Sequence, residues 1–269
     1  SQDLKVVKIS KFCETGETKP IIFIEANTHA REWITSAVAT YIINELLCGT
    51  LQERLDQFDF YIVPVGNPDG YVYTHTESRT WRKTRSLNKG SECVGTDPNR
   101  NWDDHWMTGG SSVDPCSNVY AGTAAFSEVE IRSLAEYYKT IGNDVSFFLT
   151  LHSHGQMFLL PWGYTLDHIP DYDRYMEVAK NGAAALETVN GTKYTWGSIP
   201  ETIYIASGGS LDWILGKFPN IRLALCAELR DTGKYGFLLP AHEILPTGEE
   251  LVAALNNINY RDVLPIPGL

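Results

Sequence analysis

The chain has 269 residues, 43% of them hydrophobic and 20% charged, a balance that builds an ordinary globular core and excludes a disordered or repeat-built chain. A formal net charge of -11, with an isoelectric point near 5.1, excludes a general affinity for nucleic acid or anionic membrane, although a local basic pocket remains compatible with it. No apolar run reaches the roughly 18 to 20 residues that cross a bilayer, and Ser1-Gln2-Asp3-Leu4 has no basic-then-apolar leader pattern, so any export signal is expected to have been removed.

Taken in chain order, the first strongly apolar run is Ile21 to Glu25, which predicts a buried strand. His29-Ala30-Arg31-Glu32 stands directly behind it. A helix is expected over Ile34 to Leu47, and a second strand over Phe60 to Val65, followed by Asn67-Pro68-Asp69-Gly70. Between Asn67 and Thr123 the periodicity disappears and Gly, Ser, Asn, Asp, Arg and Trp dominate; loops this long in a compact domain are usually functional. Ser127 to Thr140 reads as a helix with Ser127 as its cap and Glu128 and Glu130 in its first turn. Strands follow at Phe147 to Leu151, ending on His152, and at Met157 to Leu160. A helix over Tyr172 to Val189 precedes a strand at Leu223 to Leu225, which runs on to Glu228. The last helix, Gly248 to Asn257, is opened by Pro246-Thr247-Gly248-Glu249-Glu250. This alternation predicts a single α/β domain with a mostly parallel sheet and helices on both faces. Ligands of such sheets bind outside the carboxyl ends of the strands, where His29, Glu32, His152 and Glu228 all fall.

Those residues suggest a hydrolytic metal site. A catalytic zinc takes three protein ligands and keeps a position open, and two histidines with one glutamate form a standard set. His29 and Glu32 supply two. Of the seven histidines, only His152 and His154 follow a strongly apolar strand; they share a face there, and His152 lies nearer the run. Asp97, beside Asn99-Arg100, is a candidate to accept the second N–H of a metal-bound imidazole. Glu228, ending a buried strand, is the candidate general base, with a Glu228–Arg230 or Glu228–Lys salt bridge as the structural alternative. Arginines crowd Arg79-Thr80-Trp81-Arg82-Lys83-Thr84-Arg85 and Asn99-Arg100-Asn101-Trp102, and guanidinium forks clamp carboxylates. Solvated surface positions are the plain expectation for Arg79, Lys83 and Arg85. Tyr204, ahead of Gly208-Gly209, is placed to close over the site.

Five cysteines, Cys13, Cys48, Cys93, Cys116 and Cys226, leave at least one thiol unpaired; Cys93 and Cys116 flank a loop suited to a disulfide, and spacing leaves Cys13 and Cys48 open. Together with the sequon Asn190-Gly191-Thr192 they point to a secreted, extracellular protein.

The motifs His29-Ala30-Arg31-Glu32-Trp33-Ile34, Asn67-Pro68-Asp69-Gly70, Trp81-Arg82-Lys83-Thr84-Arg85-Ser86, Asp97-Pro98-Asn99-Arg100-Asn101-Trp102, Leu151-His152-Ser153, Ile203-Tyr204 through Ser210, Glu228-Leu229-Arg230-Asp231-Thr232-Gly233 and Tyr235-Gly236-Phe237-Leu238-Leu239-Pro240 occur in order over nearly the whole chain. In them the chain resembles the zinc metallocarboxypeptidases of the pancreatic A and B family, digestive type. The resemblance implies one Zn²⁺ on His29, Glu32 and His152, Glu228 as general base and Arg82 on the oxyanion. It also implies a carboxylate clamp at Asn99 and Arg100, Tyr204 closing over the substrate, Arg31 on upstream residues, Phe237 as a further substrate-binding residue, and a Cys93–Cys116 disulfide. The implied fold is a mixed, predominantly parallel, twisted eight-stranded sheet. Because the chain starts late relative to the family, residues 1–269 are expected to be the catalytic domain without its first edge strand.

Leu211 occupies the family's base-of-pocket position, where an aspartate marks enzymes that remove Lys or Arg, so aliphatic or aromatic C-terminal residues are expected to fit. Cys226 is expected on the pocket wall as a free thiol. The implied partners are peptide and protein C-termini, an inhibitory propeptide in the precursor and proteinaceous carboxypeptidase inhibitors, with a monomer as the expected state. Two rivals are a B-type enzyme using another acid such as Glu201, and a catalytically silent binder of carboxylate-bearing peptides.

Overall fold

The computed structural model describes residues 2–11, 18–259 and 263, so Cys13 lies outside the described residues. Among these, seven strands form one sheet in the order β1-β3-β2-β4-β7-β5-β6. They are β1 Val7–Ile9, β2 Ile21–Ala26, β3 Asp59–Val63, β4 Val145–Ser153, β5 Met157–Leu160, β6 Thr195–Ser198 and β7 Leu223–Leu229. Strands β2, β3, β4 and β7 pair in parallel, as do β5 and β6, whereas β1 on β3 and β5 on β7 are antiparallel. The sheet is therefore mixed and mainly parallel, with seven strands where the resemblance implies eight, in line with the expected absence of an edge strand.

The central strands are apolar without alternation because both faces are covered. All six residues of β2 and all nine of β4 are buried. One face, carrying Phe147, Leu149 and Leu225, packs against helices α4 Tyr172–Asn190 and α7 Ile244–Asn257, with α1 Trp33–Cys48 beside α7. On the other face Phe23 and Phe148 meet Tyr138 of α3 Val129–Ile141, and Trp213 of α6 Ser210–Lys217 joins that aromatic cluster. The remaining helices are α2 Pro68–Thr76 and the short α5 Ile199–Thr202.

Two helix starts differ from expectation. Helix α3 begins at Val129 with Glu128 in the cap position, because the Ser127 hydroxyl turns to the Glu128 carboxylate and to Asn101 instead of to the helix. Helix α7 begins at Ile244, so Pro246 sits inside its first turn, where its missing N–H breaks no helical bond. Helix α2 arises in the stretch that lacks periodicity. It is fixed by Asn67, whose side-chain oxygen accepts from Gly70 N at 3.0 Å, and by Pro68 at its first position.

A packed sheet face has a measurable consequence. Leu149→Ala, at a position 1% exposed between β4 and α4/α7, should lower stability by about 2–5 kcal/mol in urea unfolding. A loss under about 1 kcal/mol would show that this face is not close-packed.

Candidate metal centre and substrate cleft

The loop after β2 is built around Asn27. This residue takes φ 54°, in the left-handed region that asparagine tolerates, and its side-chain amide donates to the carbonyls of His29, Ala30 and Glu32 at 3.3 to 3.4 Å. The turn brings His29 and Glu32 onto one side, with His29 Nδ1 2.9 Å from Glu32 Oε1. Glu32 occupies the cap position of α1 without capping it, since its carboxylate faces inward toward His152 Nδ1 and Ser153 N, each at 3.1 Å. The ligand atoms of His29, Glu32 and His152 lie within 4.8 Å of one another, all buried. His152 is thus the histidine of the cluster. His154 turns to the cleft wall, its ring 4.9 Å from Phe237.

The protonation pattern fits a metal cation. Asp97 is fully buried and would be pushed up by desolvation, yet Arg82, His29 and Arg100 outweigh that and hold its carboxyl well below the usual range. An ionised Asp97 Oδ1 at 3.1 Å must accept from His29 Nε2, so Nε2 carries the proton and Nδ1 of a neutral ring is a bare lone pair. Burial, and then Arg82, lowers the His29 pKa and so favours that neutral form. Burial would also raise the Glu32 carboxyl, but the two imidazoles against it hold it far down. Two acceptors, His29 Nδ1 and an ionised carboxylate, therefore converge with His152 Nδ1, which is 3.1 Å from His29 Nδ1. A cation satisfies all three at once.

Asp97 organises more than one ligand. Its Oδ2 accepts from Arg82 Nε and Nη2 at 3.0 and 2.8 Å, and its Oδ1 also accepts from Asn99 N at 2.9 Å. Asn67 holds the same segment from below, donating to the carbonyl of Lys83 at 3.0 Å. Asn99 Oδ1 accepts from Ser210 N, which leaves its amide N–H groups for the cleft, and Arg100 spends Nε and Nη1 on the carbonyls of Gly110 and Asn99. Arg100 Nη2 and Arg82 Nη1 thus remain available to an anionic ligand.

On the neighbouring strand Glu228 is the register partner of His152, and both open onto one cavity of about 220 Å³ with Arg31, Arg82, Asn99, Arg100, Tyr204 and Phe237. Burial, followed by the repulsion of Glu32, pushes the Glu228 carboxyl up to about 7, against the pull of His152 and Arg82. Arg230 is engaged elsewhere, with Glu243 and Glu250, so the salt-bridge alternative for Glu228 is not realised with that arginine. Arg31 lies 4.0 Å over the Phe237 ring, while Tyr204 stands 52% exposed at the mouth.

The rest of the cavity wall is mostly apolar: Met157, Leu159, Ile199, Ile203, Ala206 and Cys226. Cys226 is a buried free thiol, as expected, and Cys93 and Cys116 form a disulfide. Leu211 is 4% exposed within the core and is not among the side chains that line the cavity. Reading the sequence missed the wall from Met157 to Ala206, whose residues look like ordinary strand and helix positions. Arg79, Lys83 and Arg85 are not solvated surface charges either. Arg79 stacks on Trp33 and donates to the carbonyls of Arg31 and Phe237, Lys83 is 4% exposed with Nζ on the Pro115 carbonyl, and Arg85 lies over Tyr73 and Trp81.

A single strand-end centre of this composition is that of a metallopeptidase-like hydrolase, and comparison with known proteins is specific. Residues 1–254 match the zinc carboxypeptidase family, and the chain belongs to it. It is 48% identical over 261 residues to a zinc carboxypeptidase of Simulium vittatum, covering 96% of this chain and 84% of that one. Identity is 46% over 254 residues to carboxypeptidase B of Astacus astacus, at 93% and 83% coverage, and 44% over 263 residues to carboxypeptidase A2 of Mus musculus, at 96% and 61%. Among solved structures, bovine thrombin-activatable fibrinolysis inhibitor in complex with tick carboxypeptidase inhibitor aligns with a TM-score of 0.90 and 37% identity, over 97% of this chain and 86% of that one. The chain is a metallocarboxypeptidase by family, and its relatives include both A-type and B-type enzymes.

The shared carboxylate gives a direct test. Asp97→Asn should weaken metal binding by about 10- to 100-fold, read as competition with a chromogenic chelator, since His29 loses the acceptor that fixes its tautomer. Unchanged affinity would remove Asp97 from that role.

Proposed function

We propose that the chain is a zinc-dependent exopeptidase that hydrolyses the last peptide bond of peptides and proteins and prefers aliphatic or aromatic C-terminal residues. The observation that carries it is the convergence on one cavity of the His29–Glu32–His152 cluster, Glu228 and the Arg100–Asn99 pair. In this reading His29, Glu32 and His152 hold one Zn²⁺, which when bound acts as a Lewis acid toward the scissile carbonyl and the attacking water. Arg100 and Asn99 bind the terminal carboxylate through donors left free by their own anchoring bonds. An internal bond presents no such carboxylate and forfeits this binding, which confines cleavage to the chain end. Glu228 takes the proton of the water and delivers it to the departing amine. Arg82, held rigidly by Asp97, donates to the oxygen on which negative charge develops. Tyr204 closes the mouth, and Arg31 and Phe237 contact residues upstream.

The preference rests on the wall. Among the described residues the only acids lining the cavity are Glu32 and Glu228, both assigned to the reaction, and an apolar wall cannot solvate a buried ammonium or guanidinium. Glu201 is exposed and tied to Ser198, His168 and Tyr172, which argues against a B-type pocket built on it. Asp212 is buried but accepts from Gly163 N and does not line the cavity. We further propose that residues 1–269 act as the catalytic domain of a secreted, monomeric enzyme, made as a precursor with an inhibitory propeptide. No helix among the described residues is long and apolar enough to cross a membrane. The neighbour solved with tick carboxypeptidase inhibitor supports proteinaceous inhibitors as partners.

Hydrolysis of benzoyl-Gly-Phe and benzoyl-Gly-Arg, with and without chelator, tests the proposal. Benzoyl-Gly-Phe should be the better substrate and chelator should abolish activity; chelator-insensitive turnover sinks the metal role, no turnover favours a silent binder, and a preference for Arg overturns the pocket assignment. Glu228→Gln should keep zinc and lower kcat by about 10²–10⁴-fold, the usual contribution of a general base, and a fully active variant would acquit Glu228. The pH profile carries the same sign. A base works deprotonated, so kcat/KM should fall as pH drops through the Glu228 pKa, which a neighbouring dication draws below about 7; an acid limb above pH 7 would contradict this.

A further inference from the structure

We propose that Asn190 is the acceptor of an N-linked glycan, an inference that rests on the secretory route proposed above. Asn190-Gly191-Thr192 is the only Asn-X-Ser/Thr triplet in the 269 residues. It closes α4. Asn190 is the last helical residue, Gly191 turns the chain with φ 74°, and a side chain added at 191 would meet nothing within 4 Å. Asn190 and Gly191 therefore face open solvent.

Asn190 is exposed, and among the described residues its amide makes one marginal contact, Nδ2 to the Pro246 carbonyl at 3.5 Å. The fold asks little of that side chain. Thr192 is engaged, since its hydroxyl donates to Glu250 at 2.7 Å and accepts from Arg230 at 2.6 Å. Both bonds exist only in the folded protein, so the hydroxyl that acceptor recognition requires is free while the chain emerges. In the transfer, Asn190 Nδ2 attacks the anomeric carbon of an oligosaccharide carried on a lipid pyrophosphate. A C–N bond forms, the sugar–phosphate bond breaks, the lipid pyrophosphate leaves and the amide gives up one proton.

The position suits a permanent substituent. Asn190 ends a helix that covers the sheet face carrying Leu149 and Leu225, whereas His152 and Glu228 point from the opposite face, so a glycan there leaves the cleft clear. The chain then runs into β6, the outermost strand, where Thr195 and Trp196 are exposed, Trp196 by 36%. A bulky hydrophilic group a few residues away shields that edge from pairing with another chain.

The test sends the full chain through a eukaryotic secretory pathway behind a cleavable leader and maps the peptide carrying residue 190 by mass spectrometry, before and after peptide N-glycosidase F. A family of hexose-bearing masses should collapse to one species with aspartate at 190. Asn190→Gln should abolish the modification and Thr192→Ser should retain it, with kcat/KM on benzoyl-Gly-Phe unchanged in both. An unmodified Asn190 in protein recovered from the medium overturns the proposal, and it does so without bearing on the natural route, because the leader supplies entry. A changed kcat/KM in Asn190→Gln would refute the placement of the glycan away from the cleft.

Discussion

The buried carboxylate of Asp97 is the constraint on which the site depends. An ionised group with no solvent exposure is destabilising by several kcal/mol unless its oxygens are satisfied, and here they accept from the His29 ring, twice from the Arg82 guanidinium and from the Asn99 backbone. That compensation ties together three things that reaction chemistry needs held apart in role but fixed in distance. His29 receives its tautomer, Arg82 its plane and the Asn99–Arg100 segment its place. Removing any one donor leaves part of a buried charge unsatisfied, so the geometry is stiff for the same reason that it is costly.

The loop that carries Arg82, Asp97, Asn99 and Arg100 has little regular structure, and its order comes from side chains that answer its backbone groups. Thr84 bonds Glu128 and receives Thr96 N, Asn101 bridges the Ala121 and Ala124 carbonyls, and Lys83 reaches the Pro115 carbonyl next to the Cys93–Cys116 disulfide. Glycine is required where this segment meets the next. Gly208 takes φ 73° against the Arg100 carbonyl, and a Cβ there would lie 2.6 Å from that oxygen. Substitution would push apart the Asn99–Arg100 segment and the loop bearing Tyr204.

Much of this was legible in the sequence where burial is complete. The runs that became β2, β4, β5 and β7 are apolar because both faces of the sheet are covered, and that pattern alone puts His29, Glu32, His152 and Glu228 at or just beyond strand ends. Strands β1 and β6, three and four residues long and partly exposed, carry no such signal. Helix α2 buries only Pro68, Gly70 and Thr74, so its sequence lacks an apolar stripe and only Asn67-Pro68 announces it. The pocket position of Leu211 comes from the resemblance alone, because a leucine in an apolar helix reads equally as core, and its side chain is 4% exposed. Arg79 and Arg85 were unreadable for another reason: the aromatic rings they stack on approach through tertiary structure or from across a turn, and a sequence does not show which face of a ring is vacant.

The net charge of -11 and the basic cleft are two scales of one electrostatic design. Screening confines the field of scattered surface carboxylates to about 8–10 Å at physiological ionic strength. Arg31, Arg82 and Arg100 instead face one concave, weakly solvated cavity, where field lines concentrate. Under the proposed reaction an approaching peptide meets repulsion along its acidic stretches over most of the surface and attraction for its terminal carboxylate at one place. Within that place the positive charge is graded by what already neutralises it. Arg82 is paired with Asp97, so it is a directed donor rather than a free charge, whereas among the described residues no carboxylate is bonded to Arg100, whose bonds go to carbonyls. Arg100 is therefore the less neutralised of the two guanidinium groups, which under the proposed reaction suits it to a terminal carboxylate.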